Sequence, residues 1–116
     1  MQSRFRLTRS TDFKRVRREG KSYAHPLVVL IAHPKDEAEL LVGIIASRRV
    51  GNAVKRNRAK RLVRAAMQEL VPEITPNVDI ILIARTPIIN VKMPEVRTAL
   101  RALLQRAQLL NHPHDA

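Results

Sequence analysis

Apolar positions along the chain fall into two kinds of run, continuous and helically spaced, and the switches between them set out the elements. From Ser10 a short helix is expected: Ser10 or Thr11 caps it, Asp12 suits the first turn, Phe13 and Val16 lie three apart on one face, and Gly20 ends it. PLVVLIA, residues 26–32, is continuous, short and rich in β-branched side chains, as in a buried strand. HPKDEAE breaks the run with a proline and four charges and reads as a hairpin loop before a second strand, ELLVGIIAS, residues 39–47. So short a link predicts that these two strands pair antiparallel.

After Ser47 the period changes. At about 100° per residue, Ala59, Leu62, Val63, Ala66, Met67 and Leu70 gather on one side of a helix over 53–70, with Asn57, Arg61, Arg64 and Gln68 opposite. Asn52 is its N-cap, and Pro72 and Pro76 follow its end. VDIILIAR, residues 78–85, is a further buried strand, broken by Thr86-Pro87. From Pro94 the positions Val96, Leu100, Leu103, Leu104, Ala107 and Leu110 keep helical spacing. With a further short strand at 21–24, the order is αβββαβα, an α+β two-layer sandwich in one domain over 1–116, flanked by a basic arm at 1–9 and a frayed tail at 111–116. If strands 39–47 and 78–84 are parallel, the helix over 53–70 is their crossover, and the general rule predicts a right-handed one.

Charge changes this picture from a scaffold to a surface. Of 116 residues, 22 are Lys or Arg against 10 Asp or Glu, a net charge of +12, while 45% are hydrophobic. Arginine dominates the cations, and its planar guanidinium grips phosphate oxygens in pairs, so nucleic acid is the expected partner. The chain offers no membrane span and no apolar signal-peptide core, which places it in the cytoplasm with no membrane partner. The absence of cysteine excludes disulfides, thiol catalysis and zinc frameworks built on Cys.

The cations concentrate where a helix disfavours them. Unpaired N–H groups give a helix start partial positive charge, yet Lys55, Arg56, Arg58, Lys60, Arg61 and Arg64 occupy the first turns, with Arg48 and Arg49 just before and no acid between Ala46 and Gln68. A one-signed face gains nothing from internal ion pairs, so it reads as a polyanion contact surface. Phe5, Phe13 and Tyr23 lie among further cations in the first quarter, the composition of a platform for single-stranded bases. Chemistry is harder to find. His25 and His33 sit beside prolines in expected loops, His112 and His114 lie in the tail, and Asp36, Glu37 and Glu39 read as a solvated loop. No catalytic residue, metal site or phosphate loop is expected in the protein itself.

The stretch RRVGNAVKRNRAKRLVR resembles the signature of the protein subunit of bacterial ribonuclease P: Ala53, then Arg56-Asn57-Arg58, Lys60-Arg61 and Arg64. RFRLTRSTDFKRV, Gly20-Lys21, VGIIASRRVGNAV and IILIAR extend the resemblance along nearly the whole chain. It implies a small protein partner of a catalytic RNA, in a holoenzyme that removes the 5′ leader of precursor tRNA. The RNA, with bound Mg²⁺, performs the hydrolysis, and no other protein is obligatory. The resemblance places Arg48, Arg49, Lys55, Arg56, Asn57, Arg58, Lys60, Arg61 and Arg64 against the RNA subunit. It places the single-stranded leader in a cleft between the sheet and the first helix, at Phe13, Arg17 and Ile31. Arg17 and Ile31 stand where the family often carries aromatics, so stacking is expected to rest on Phe13 and on the Arg17 guanidinium. The implied fold is ribosomal protein S5 domain 2-like, with a left-handed βαβ crossover in place of the usual hand. A ribosomal RNA-binding protein would share the size and charge but has no need of this signature, and a stand-alone nuclease would need an acid or histidine site.

Overall fold

In the computed structural model, which describes residues 5–111, the helically spaced stretches form α1 (Ser10–Glu19), α2 (Ala53–Leu70) and α3 (Met93–Arg106). The apolar runs form β1 (Lys21–Ala24), β2 (Val28–Pro34), β3 (Leu40–Ala46) and β4 (Val78–Ala84), giving the expected αβββαβα order and an α+β fold. Asn52 caps α2 as expected, its side-chain oxygen accepting from the Lys55 N–H at 3.0 Å. The cap of α1 differs from the expectation: Ser10 is already helical, and the N-cap is Arg9 without a side-chain hydrogen bond.

One pairing is corrected. The sheet order is β1-β2-β4-β3, so β2 and β3 are not neighbours. β4 lies between them, antiparallel to β2 and parallel to β3, with α2 as the crossover of the parallel pair. Residues of β4 are buried on both faces, which suits the centre of a sheet. The link 35–39 has only to bridge two strand spacings of about 4.8 Å each, well within the reach of five residues.

Alternation along the strands divides the core in two. Val28, Leu30 and Ala32 of β2, Leu40 and Val42 of β3, and Val78, Ile80, Leu82 and Ala84 of β4 face α2 and α3. The helices answer with Ala59, Val63, Ala66, Met67 and Leu70, and with Val96, Ala99, Leu100, Leu103 and Leu104. On the reverse face a smaller cluster joins Leu7, Val16, Ile31 and Ile81, with Phe13, Val29, Leu41, Ile45 and Ile83 half-buried around it. The sandwich therefore has two full layers, with α1 covering part of the third side. Residues 109–111 are tied down, Thr75 donating to Leu109 at 2.7 Å and Asn111 to Glu73 at 2.6 Å. The rest of the expected tail, 112–116, lies outside the described residues, as do residues 1–4 of the expected arm. The remainder of that arm is docked: Leu7 is buried, its N–H donates to the Val42 carbonyl at 2.9 Å, and Arg6 bridges β3 in parallel.

Candidate nucleic-acid interface

The junction from β3 to α2 is built to hold cations in one place. A 3-10 turn, Arg48–Val50, is opened by Ser47, whose hydroxyl accepts from the Arg49 N–H at 3.3 Å, and Thr86 donates to the Arg49 carbonyl at 3.1 Å. Gly51 follows at φ 142°, a conformation L side chains rarely adopt, and a Cβ there would lie 2.6 Å from Lys55 Cδ. Arg56 returns over the turn and donates to the Gly51 carbonyl at 3.1 Å. Arg48, Arg49, Lys55, Asn57, Arg58 and Arg61 are exposed, whereas Arg56, Lys60 and Arg64 are half-buried. Among the described residues no carboxylate pairs with any cation of this set. The other end of α2 behaves differently: Glu69 pairs with Arg97 of α3 at 2.6 Å, and Glu73 just beyond pairs with Arg101 at 2.6 Å.

On the reverse face of the sheet α1 lies across β2 and β4, and how it is seated decides what stays open. Phe13 rests on Gly43 of β3, where even a Cβ would lie 2.5 Å from the ring. At the end of the sheet near Pro34, Asp79 is 1% exposed and receives Arg15 at 3.1 Å and Lys35 at 2.6 Å. Arg15 also reaches Asp12 at 3.1 Å, and Lys35 reaches Glu39 at 3.0 Å. Burial alone would lower the Lys35 pKa, but hydrogen bonds to Asp79 and Glu39 and their charge outweigh it and raise the value. This network clamps the Asp12 and Arg15 side of α1 down. Phe13 and Arg17, four residues apart, share a face of α1, Phe13 half-buried over Gly43 and Arg17 exposed.

The opposite end of the sheet is open. Half-buried Val29, Ile45 and Ile83 floor it. It runs into a groove of about 420 Å³ lined by Val29, Ser47, Arg49, Val50, Ile83 and Arg85 among others. The open sheet surface therefore meets the cation cluster at Arg49. Of the residues expected to line the cleft, Phe13 is half-buried and Arg17 exposed. Ile31 is the exception: it faces this side but is 5% exposed beneath α1, packed with Leu7, Val16 and Ile81. It has almost no surface to give, and Val29, Ile45 and Ile83 are the aliphatic positions that do.

The three aromatics do not form one platform. Phe5 and Tyr23 pack toward the α2 and α3 side, away from Phe13. Tyr23 has Lys21 Nζ 5.7 Å and the Arg106 guanidinium 5.8 Å from its ring centre. Of the two described histidines, His25 accepts from the Leu27 N–H at 3.0 Å, and His33, in β2 rather than a loop, sits 3.4 Å from Glu19. His112 and His114 lie outside the described residues. Among the described residues no three His, Asp or Glu side chains gather as metal ligands, and no helix is long and apolar enough to cross a membrane. Asp79, Gly43 and the docked residues 6–8 escape the sequence reading. The single acid inside an apolar strand is the one signal that could have exposed the first of these.

Comparison with known proteins bears on the family and the fold. The family model described as Ribonuclease P matches residues 1–108. The chain is 40% identical over 114 residues to the ribonuclease P protein component of Chloroflexus aurantiacus, covering 97% of this chain and 84% of that one. It is 40% identical over 111 residues to the protein of that description from Shouchella clausii, covering 95% and 91%. Among solved structures, the RNase P protein of Staphylococcus aureus superposes with a TM-score of 0.81 at 29% identity, over 92% of this chain and 98% of that one. The RNase P protein of Thermotoga maritima does so with a TM-score of 0.78 at 30% identity, over 87% and 96%.

Proposed function

The chain belongs to the ribonuclease P protein family, and from that premise we propose that it binds the catalytic RNA subunit through α2 and the leader of precursor tRNA through the open sheet groove. Membership gives it a role in tRNA 5′ processing as part of an endoribonuclease. The division of labour is our reading, and the observation that carries it is the unpaired cation cluster at the start of α2 adjoining the groove at Arg49. Arg48, Arg49, Lys55, Asn57, Arg58 and Arg61 present donors to RNA phosphates, with Arg56 holding the turn that displays them. The groove beside them takes an extended strand: half-buried Phe13 offers part of its ring, Arg17 a guanidinium, and Val29, Ile45 and Ile83 an apolar floor.

In this reading the protein neutralises and positions while the RNA does the chemistry. Its described residues do not fit a resident metal, and Mg²⁺ is assigned to the RNA subunit and substrate in the cytoplasm. Opposing phosphate repulsion matters most when divalent cations are scarce. The test is cleavage of precursor tRNA at low Mg²⁺ with this chain, with the catalytic RNA, and with both. Only the combination should cleave; cleavage by the chain alone would overturn the assignment of chemistry to RNA. Phe13→Ala, checked for folding by circular dichroism, should weaken precursor tRNA more than mature tRNA, which lacks a leader. Equal losses would remove Phe13 from the leader path.

A further inference from the structure

The crevice between α2 and α3 changes character along its length. Toward the end of α2 two ion pairs cross it, Glu69 to Arg97 at 2.6 Å and Glu73 to Arg101 at 2.6 Å. Nearer the helix starts no such pair crosses it among the described residues. The crevice opens there into a hollow of about 370 Å³ lined by Arg58, Arg61, Leu62, Ala65, Lys92 and Met93. That volume lies within the range of about 300–1,000 Å³ typical of small-ligand sites. The rim carries three exposed cations and no carboxylate, while Leu62 and Met93, half-buried against the core, lie deepest. Phosphate alone has no use for an apolar floor. Val54 continues the pattern: at about 100° per residue it shares a stripe of α2 with Arg58, Arg61 and Ala65. At 74% exposure it is the one exposed large hydrophobic side chain among the described residues. Apolar surface set between cations suits a ligand that is flat and apolar in the middle and anionic at its edge, as a nucleotide is.

We propose that this hollow receives one unstacked base of the catalytic RNA, its face against Leu62 and Met93, with Arg58, Arg61 and Lys92 on the flanking phosphates. The inference rests on α2 facing the RNA subunit, as read above, and adds a contact that tells an unpaired nucleotide from a duplex backbone. A base within a helix hides both faces, so only a bulge, loop or junction nucleotide can enter. The flexible, polarizable thioether of Met93 adapts to an aromatic ring without demanding one base over another. Val54, one turn before Arg58, extends the apolar strip. The hollow shares no lining residue with the groove at Arg49, so it serves assembly and not the leader.

The experiment measures affinity of the full chain for the catalytic RNA across a range of salt. Met93→Gln keeps the size of the side chain and removes its apolar character. It should weaken binding about fivefold or more, the scale of one lost base contact, without changing the salt slope, because an apolar contact releases no counterion. Lys92→Met should weaken binding and also make the slope shallower by about 0.7, one phosphate contact. Val54→Ser lies outside the core and guards against a Met93→Gln chain that fails to fold; it too should lower affinity at constant slope. Probing of the RNA with base-specific methylating and carbodiimide reagents should show an unpaired base protected by the parent chain and exposed again with Met93→Gln. Parent-like affinity in a folded Met93→Gln chain and in Val54→Ser, or a loss that appears only as a change of slope, would overturn the base site. Arg58→Ala, measured beside them, separates the two readings. If it alone weakens binding, the base site falls and the phosphate surface stands; if it has no effect either, both fall.

Discussion

Arg56 and Arg58 share a motif but not a role. Arg58 is exposed with no partner among the described residues, whereas Arg56 is half-buried and donates to Gly51. Arg58→Ala should therefore leave stability within about 0.5 kcal/mol while weakening assembly with the RNA. Arg56→Ala should cost about 0.5–1.5 kcal/mol for the lost hydrogen bond and weaken assembly as well. Thermal melts set against RNA titrations separate the two. Gly43 makes the opposite kind of prediction. Because a Cβ would meet the Phe13 ring at 2.5 Å, Gly43→Ala should destabilise by about 1–3 kcal/mol as an overpacked contact and push Phe13 from its seat. A variant that melts like the parent, with unshifted Phe13 ring signals, would contradict this. The α2 cations are legible from sequence because charge and helical spacing lie within one stretch. Gly43 is not, since its meaning depends on a side chain thirty residues earlier that meets it only in the folded sheet.

At the scale of elements, α1 holds its place through Asp79 rather than through apolar area alone. Removing one partner of a buried ion pair costs about 3–5 kcal/mol. Asp79→Ala should fall at the lower end, because Glu39 still reaches Lys35 and Asp12 still reaches Arg15. Urea unfolding measures the loss. The same network sets an alkaline limit. The Lys35 pKa is raised above 10.5 in the folded protein, so its contribution is fully present below that value and is lost as pH rises through the folded one. Lys35→Met should flatten the alkaline fall in Tm, and an unaltered fall would exclude Lys35 as its source. Helices and strands are readable from local periodicity, down to Asn52 as the cap of α2. The neighbours in the sheet are not. A short link between β2 and β3 suggests a hairpin, and only the insertion of β4, a non-local event, separates them.

For the whole molecule, +12 of net charge makes association with RNA a counterion-release process. With about six phosphate contacts at a single-strand slope of about 0.7 each, the log–log dependence of affinity on salt should be about −4; a near-flat response across a fourfold change in salt would reject the electrostatic account. Fold class and the basic face were both within reach of the sequence, because composition and signature point to them directly. The extent of the cleft was not, since it depends on how far α1 lies across the sheet and buries Ile31. The sheet order carries a further consequence, for how the chain is made. β4 is the last strand to leave the ribosome, yet both β2 and β3 bond to it, Val28 pairing with Ala84 across the chain. A nascent chain that has emerged only through residue 46 holds two strands with no partner between them, and closing so long a loop slows folding. The cleft is thus a late product of synthesis: the surface proposed to receive a leader does not exist until the strand that completes it has been translated.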